Sequence, residues 1–419
     1  MFDQSFNIQT LSRMVRRSDF KKNPTLVNPR IRLAYLKDAI KSAQNGFGKS
    51  DPLERYHLDG KQAYRIKFFE DELVIRHLGE NIERAGGASP PSREFVIANL
   101  VHLLSEGVPY RLYRLDVKSF YESFSTIDVA KTVSAHPDIS PVSKRLLGTL
   151  LSTYSSSGGQ GLPRGLALSA VLSEFMMVDF DSRIATMPGV YFVGRYVDDI
   201  VAITSGEENV SSFVGAVASL LPSGLSLHGT KRSILTAHDI VTPGATATKL
   251  FAFDYLGYQF TVNEPGKVKG QSRGSYSRDV VIDIANSKIR RIKTRIVRSF
   301  LAFKKTSDFD MLELRLKFLT SNFSIKDFNR NRYKLAGIYF SYPQVTRESA
   351  KGLRKLDLFL KSAVLSGIGR LFSSTATMLS KLQRRQLLAN SFERGHRKRL
   401  FVHYHPNKIK QIQECWVHE

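Results

Sequence analysis

Two adjacent carboxylates, Asp198 and Asp199, are the residues whose type and spacing most directly predict chemistry in this chain. The segments on either side, 190–196 and 200–204, are apolar and rich in β-branched and aromatic residues, which predicts two strands joined by a tight hairpin. Because adjacent carboxylates repel each other, burying them is costly unless a cation neutralises them. Such a pair is also ordinary turn chemistry, and it is the rigid strand on each side that favours a divalent cation bound by oxygen ligands.

A third carboxylate, Asp116, stands at the end of another strand-like segment, 110–115. Only a sheet can bring together two strand-borne sites that lie this far apart in sequence. If they meet, three carboxylates can hold two metal ions about 4 Å apart, the arrangement that clamps the attacking and leaving oxygens of phosphoryl transfer. The sequence therefore predicts a two-metal site, provided that a sheet unites these strands.

The order of the motifs is more specific than any one of them. They run from Asp-x-x-x-Phe-Tyr at 116–121 through Leu-Pro-x-Gly at 162–165 and Tyr-Val-Asp-Asp at 196–199 to Lys231 and Tyr-Leu-Gly at 255–257. In this order they resemble the motifs of reverse transcriptases, and within that group those of the bacterial antiviral (defence-associated and abortive-infection) enzymes. The first residues of the chain, 2–6, resemble the first subunit of a type 3 defence-associated system.

The resemblance implies that Asp116, Asp198 and Asp199 are the catalytic residues. Together with Val117 they would be the ligands of two Mg²⁺ ions, with Mn²⁺ as an alternative ion. The residue types and the resemblance therefore both predict that these carboxylates hold the metal ions.

Further residues match substrate-contacting positions of the family. Tyr121 matches the bulky gate that blocks a ribose 2′-hydroxyl, and Lys231 matches a lysine that assists pyrophosphate departure, a general-acid role. Arg164 and Gly165 match the loop under the incoming nucleotide, although many members have Gln in place of Arg164. From the residues alone, a tyrosine here is more often core and the lysine is as easily a surface residue, so only the motif context favours substrate contacts.

The segments 64–69 and 72–78 alternate apolar residues with basic or polar ones, which predicts a two-stranded ribbon. In the family such a ribbon belongs to the fingers and lays basic side chains on the triphosphate, and Arg76 is the candidate for that contact. From the residues alone, a solvated strand residue explains Arg76 as well.

Basic residues dominate the charge of the chain, since 62 Lys and Arg against 38 Asp and Glu give a net charge of +24. This excess favours polyanions as partners, and nucleic acid ahead of an anionic membrane because no long apolar stretch supports insertion. The helix predicted over 286–298 carries Arg290, Arg291 and Arg295 beside an apolar face, which favours binding to a duplex backbone over a merely solvated face.

The resemblance adds a second nucleic-acid contact. The hairpin predicted over 251–262 matches the primer grip of the family, and Tyr255 and Gly257 are its candidate contacts.

A single cysteine, Cys415, excludes an intrachain disulfide and a cysteine-rich zinc site, which favours a reducing cytoplasm. The N-terminus lacks the charged-then-apolar pattern of a signal peptide. No endonuclease, zinc-ribbon or ribonuclease H motif is visible, so the mobility of an intron-encoded enzyme is not expected.

The expected fold is α+β, a right-hand polymerase in which fingers and palm, built on an antiparallel sheet with packed helices, precede an α-helical thumb. The expected division is 1–109 for an N-terminal extension and fingers, 110–265 for the palm with part of the fingers, and 266–419 for a helical region that binds nucleic acid.

The sequence thus favours an RNA-directed DNA polymerase. An RNA-templated RNA polymerase on the same palm and a non-catalytic nucleic-acid-binding effector remain as alternatives. The resemblance alone implies phage defence, a dedicated non-coding RNA template and a DNA product made from dNTPs. It also implies a partner, either a second reverse transcriptase subunit or another copy of this chain, and no membrane.

Overall fold

A computed structural model describes residues 2–48, 51–58, 60–87, 91–240, 246–265, 276–327, 332–346, 350–365 and 369–416. The fold is α+β, with helices and exclusively antiparallel pairing between the strands described. The chain forms two compact units, one of Met1–Val96 and Val108–Asp239 and the other of Ile97–Gly107 and Ile240–Glu419.

The helices of the described chain are α1 (Ile8–Arg13), α2 (Arg17–Lys22), α3 (Pro29–Asn45), α4 (Phe69–Gly86), α5 (Arg93–Leu104), α6 (Thr126–Ala135), α7 (Pro141–Ser156), α8 (Ala167–Ala185), α9 (Val210–Leu220), α10 (Asn286–Thr306), α11 (Phe309–Thr320), α12 (Gly352–Leu365), α13 (Gly369–Met378), α14 (Lys381–Leu388), α15 (Phe392–Arg397) and α16 (Pro406–Gln413). The strands are β1 (Leu53–Leu58), β2 (Lys61–Ile66), β3 (Tyr110–Asp116), β4 (Val190–Tyr196), β5 (Asp199–Thr204), β6 (Ser233–Ala237), β7 (Thr248–Tyr255), β8 (Tyr258–Glu264), β9 (Asp279–Ile284), β10 (Asn322–Asp327) and β11 (Arg332–Gly337).

A four-stranded sheet with the order β4-β5-β3-β6 forms the centre of the first unit. Strand β5 is buried along almost its whole length, from Ile200 to Thr204, as the continuous apolar run predicts. The predicted strand over 110–115 and the predicted hairpin over 190–204 are both confirmed. The sheet brings the end of β3 beside the β4–β5 turn.

The predicted ribbon is present but lies earlier in the chain. Strands β1 and β2 pair from Leu53 to Ile66, whereas the segment predicted as its second strand, 72–78, belongs to helix α4. Three acidic residues in the first turn of α4 favour a helix start because they face its positive dipole end. Buried apolar side chains at helical spacing, Val74, Leu78 and Ile82, then outweigh the alternation that suggested a strand.

The segment after Asp116 has little regular structure. The chain passes into turns from Lys118 to Ser123, and helix α8 begins at Ala167. One isolated antiparallel bridge joins Val117 to Leu227. Asp116 is therefore paired with β5 on one side, while on the other side the backbone around it is held by single hydrogen bonds.

The second unit contains a three-stranded sheet, β7-β8-β9, and the helices from α10 onward. The predicted hairpin over 251–262 and the predicted helix over 286–298 are confirmed as β7–β8 and as part of α10. The region 266–419, expected to be helical, also holds the ribbon β10–β11. Residue 266, the predicted start of the thumb, lies outside the described residues, and the predicted three-part division of the chain stays a prediction.

In the described part of the chain, every helix is too short or too polar to cross a lipid bilayer.

Candidate active site

Strand pairing places the predicted carboxylates together. In the ladder between β3 and β5, Asp116 is directly opposite Asp199. The backbone N–H of Val117 donates to the Asp198 carbonyl oxygen at 3.0 Å, which ties the end of β3 to the turn. His228 N–H donates to the Asp116 carbonyl oxygen at 2.7 Å from the other side. Three carboxylates from two separate parts of the chain therefore share one end of the sheet.

The turn that carries Asp198 is strained. Tyr196 pairs with Asp199, so the hairpin loop consists of Val197 and Asp198 only. Val197 has φ of +59°, in the left-handed region that a β-branched residue rarely enters. Such a conformation costs about 1–3 kcal/mol and persists only where the surrounding structure enforces it, commonly at functional sites.

Burial raises the pKa of Asp198 above its ordinary value, and repulsion from Asp116 adds to the rise. The pKa of Asp199 is also raised by burial, while the charge of Arg114 partly offsets the effect. An Arg114 guanidinium nitrogen lies 3.4 Å from a carboxylate oxygen of Asp199, and Lys231 Nζ lies 3.8 Å from Asp116 Oδ1. The site thus concentrates negative charge in a partly desolvated position, where an added cation would be stabilised.

The carboxylates suit Mg²⁺ by donor type, since that ion prefers oxygen ligands. Within the described ranges, however, no set of three or more His, Cys, Asp or Glu side chains is arranged to hold a metal ion. The chemistry of the donor set therefore fits a divalent cation, while the side chains are not assembled into a coordination group.

Tyr121 lies against the loop before α8. Its carbonyl oxygen accepts from Leu162 N–H at 2.7 Å, and a side chain at Gly161 would meet that same oxygen at 2.4 Å. Burial raises the pKa of Tyr121, and a hydrogen bond with Ser173 partly offsets the rise. The ring is half-buried and packs against the hydrophobic core of the first unit.

Arg164 and Gly165 contact protein on the side facing the β1–β2 ribbon. Tyr64 N–H donates to the Arg164 carbonyl oxygen at 2.7 Å, and the Arg164 side chain pairs with Glu122 at 3.1 Å. A side chain at Gly165 would approach the Tyr64 carbonyl oxygen to 2.8 Å, and φ there is +98°. The close approach that the glycine permits is therefore made by the ribbon backbone.

Arg76 lies inside the first unit, not on a ribbon. Its guanidinium binds the Asp19 carboxylate at 2.7 Å, the Met14 carbonyl oxygen at 2.9 Å and the Glu72 carboxylate. The side chain is only 6% exposed. Protein acceptors therefore surround this guanidinium, and its predicted contact with a triphosphate stays a prediction.

The predicted nucleic-acid contacts of the second unit fall into two groups. Tyr255 is buried in β7 at 1% exposure, so its ring belongs to the core and its predicted contact stays a prediction. Gly257 lies in the β7–β8 turn with φ of +83°. Arg290 and Arg291 are exposed on α10. Arg295 is half-buried, and its guanidinium lies 5.4 Å from the centre of the Trp416 ring.

One arginine beside the site was not among the sequence candidates. Arg195, in β4, is 4% exposed and binds Glu174 and Asp181, which lie seven residues apart on α8. Its signal in the sequence is a charged residue inside an apolar strand, together with two acidic residues at a spacing that puts them on one face of a helix.

No family model matches this chain, and no curated protein matches it. Solved structures similar to it include apo telomerase from Candida tropicalis truncated from its C-terminal domain and telomerase from Candida albicans in complex with a TWJ fragment of telomeric RNA. The first is 12% identical, with 50% of this chain and 53% of the telomerase chain covered and a TM-score of 0.34. The second is 11% identical, with 78% and 63% covered and a TM-score of 0.35. The chain thus spans less than two thirds of either telomerase chain, and similarity at this level assigns it neither a family nor an activity.

Proposed function

We propose that this chain is an RNA-directed DNA polymerase that transfers nucleotides with two bound Mg²⁺ ions. The observation that carries the proposal is the ladder position of Asp116 opposite Asp199, with Asp198 in the adjoining two-residue turn. The order of the sequence motifs supports the same reaction class.

Asp116, Asp198 and Asp199, with the backbone at Val117, would hold the ions. Bound Mg²⁺ would neutralise phosphate charge and stabilise the oxygens that attack and leave. Lys231, 3.8 Å from Asp116 and largely exposed, supplies a proton to the departing pyrophosphate. Arg114 balances part of the negative charge of Asp199 and partly offsets the rise that burial causes in the pKa of that carboxylate.

Tyr121 excludes a ribose 2′-hydroxyl by its bulk. Arg164 and Gly165 support the nucleotide through the loop that contacts the β1–β2 ribbon. Gly257, Arg290 and Arg291 bind the nucleic acid, the two arginines through phosphates.

The test is incorporation of dNTPs by the purified chain on a primed RNA template, with Mg²⁺ and with EDTA. Asp198→Asn should abolish incorporation while RNA binding is retained, because the substitution removes a charge and keeps the shape. Asp179→Asn is the matched control, since Asp179 is a surface residue of α8 whose side chain is 76% exposed. Undiminished synthesis by Asp198→Asn, or incorporation of rNTPs in place of dNTPs by the wild type, contradicts the proposal.

A second candidate is nucleic-acid binding without catalysis. It is favoured by the net charge of +24 together with the unassembled state of the carboxylates in the described ranges. Metal-dependent incorporation excludes it, whereas RNA binding without incorporation supports it.

The biological role that we propose is phage defence in the bacterial cytoplasm, with a non-coding RNA as template and a second reverse transcriptase subunit or another copy of the chain as partner. The resemblance to antiviral reverse transcriptases supports this role. Sequencing the nucleic acid and identifying the proteins that co-purify with the chain tests the template and the partner. Phage plating on cells that carry the wild type or Asp198→Asn tests the role itself, which requires protection by the wild type alone.

A further inference from the structure

Arg195 uses every donor of its guanidinium inside the protein. Nε donates to Asp181 at 2.8 Å, Nη2 donates to Asp181 at 2.7 Å and to Glu174 at 2.6 Å, and Nη1 donates to Glu174 at 3.2 Å. The fifth bond runs from Nη1 to the Val197 carbonyl oxygen at 3.1 Å. An arginine has five N–H donors, so none is left for a substrate.

The fifth bond reaches the turn that carries the candidate metal ligands. Val197 holds the left-handed conformation, and its carbonyl belongs to the peptide that joins it to Asp198. On the opposite side, Asp198 accepts from Val117 N–H. The strained turn is therefore fixed between β3 and the guanidinium of Arg195, which α8 holds in place through Glu174 and Asp181.

Lysine cannot reproduce this arrangement. The planar guanidinium matches two carboxylates and a carbonyl at once, whereas an ammonium has three donors on a flexible stem and lacks the fork geometry. A lysine at position 195 would keep the buried positive charge that Glu174 and Asp181 require, while it would lose the geometry of the support.

We propose that Arg195 is a positioning residue that sets the place of the Asp198 carboxylate by holding the Val197 peptide in its strained conformation. The effect of Arg195 on catalysis rests on the proposed polymerase function, whereas its effect on the conformation of the turn does not. Arg195 acts through the turn and does not touch the substrate.

The test compares the wild type, Arg195→Lys and the control Arg183→Lys in the full-length chain. Arg183 pairs with Asp179 within helix α8, and both side chains of this pair are exposed. With Arg195→Lys, kcat should fall by about 10²-fold, since a misplacement of about 1 Å costs that much. KM for dNTP should stay within about threefold, because the lost contact is not a substrate contact. Arg183→Lys should leave both constants unchanged.

Hydrogen exchange supplies a readout that does not depend on activity. The Val117 amide reports on the turn because it donates to Asp198, and the Tyr64 amide, bonded to Arg164, reports on the same unit elsewhere. Arg195→Lys should speed exchange at Val117 and leave Tyr64 unchanged. Faster exchange at both amides would mean that Arg195 stabilises the whole unit, and it would overturn a positioning role. A wild-type kcat in Arg195→Lys would overturn that role as well.

A second variant, Glu174→Gln with Arg195→Gln, removes the fork and leaves the net charge of the cluster unchanged. It should reproduce the loss of kcat and the faster exchange at Val117, and normal values of both would contradict the proposal. If the wild type itself incorporates no nucleotide, the polymerase function fails, and the exchange at Val117 still decides whether Arg195 holds the turn.

Discussion

Arg76 and Asp19, which lie 57 residues apart in the chain, form a buried ion pair with a nitrogen–oxygen distance of 2.7 Å. The Asp19 side chain is 1% exposed and that of Arg76 is 6% exposed. The pair joins α2 to α4, and the Met14 carbonyl oxygen accepts a further bond from the same guanidinium. The ion pair therefore links the N-terminal helices to the rest of the first unit.

Removing the Asp19 charge should destabilise the fold. Asp19→Asn leaves a buried guanidinium short of one negative partner, and breaking a buried pair in this way costs about 3 kcal/mol or more. Asp38→Asn is the control, because the Asp38–Lys41 pair is exposed and should change stability by less than about 0.5 kcal/mol. Urea unfolding at neutral pH measures both, and equal midpoints for the two variants would contradict the prediction.

The same pair predicts a pH dependence. Burial raises the pKa of Asp19, but hydrogen bonds from Arg76 and from the Arg16 backbone, together with the charge of Arg76, outweigh this and lower the pKa below the ordinary value of 3.8. A carboxylate whose pKa is lowered by folding stabilises the fold above its unfolded pKa and loses that contribution as the pH falls through its folded pKa. The stability difference between wild type and Asp19→Asn should therefore be full at neutral pH and shrink below about pH 4.

Local sequence patterns predict the strands and the turn of the site. The contacts within the site depend on pairing between strands that lie far apart in the sequence. The hairpin over 190–204 follows from two apolar runs and a short polar loop, all visible within fifteen residues. The ladder register that sets Asp116 opposite Asp199 depends on strands about eighty residues apart, and nothing local to either strand fixes it. The sequence indicated that the carboxylates end strands, and only the sheet shows which residues face each other.

Arg76 and Arg195, whose side chains are both buried, show the same limit. The alternating polarity of 72–78 predicts a strand that carries Arg76, while the helical spacing of the apolar residues in that segment is equally present in the sequence. The burial of Arg76 depends on Asp19, and that of Arg195 depends on Glu174 and Asp181. A buried arginine needs carboxylate partners, and for Arg76 and Arg195 these include residues of another element. The sequence pattern within one element therefore does not reveal that its arginine is buried.

Gly165 should be intolerant of a side chain. Its φ of +98° costs a non-glycine residue about 1–3 kcal/mol, and a Cβ would lie 2.8 Å from the Tyr64 carbonyl oxygen. Gly165→Ala should lower the free energy of unfolding and speed exchange of the Tyr64 amide as the ribbon moves away. Gly148→Ala is the control, since Gly148 lies within helix α7 with open space around it and should gain about 0.5–1 kcal/mol. Equal effects of the two substitutions would rule out the contact between ribbon and loop.

Tyr121 should govern the choice of sugar if the polymerase proposal holds. Tyr121→Ala removes the half-buried ring and should lower the preference for dNTP over rNTP, measured as the ratio of kcat/KM, by about tenfold or more. Tyr121→Phe keeps the bulk and should keep the preference. Tyr191→Ala, which truncates an exposed tyrosine of β4, serves as the control. An unchanged ratio in Tyr121→Ala assigns the ring to packing alone.

The exposed arginines of α10 should contribute to the salt dependence of nucleic-acid binding. Each phosphate contact adds about 0.9 to the slope of log affinity against log salt concentration for a duplex, so Arg290→Gln with Arg291→Gln should reduce that slope by nearly 2. The matched control is Arg17→Gln with Arg30→Gln, which removes the same charge from exposed arginines of the N-terminal helices. Affinity measured between about 50 and 200 mM salt separates local phosphate contacts from the general effect of net charge. If both double variants reduce the slope equally, the contribution of α10 is charge alone, and no phosphate contact is assigned to Arg290 or Arg291.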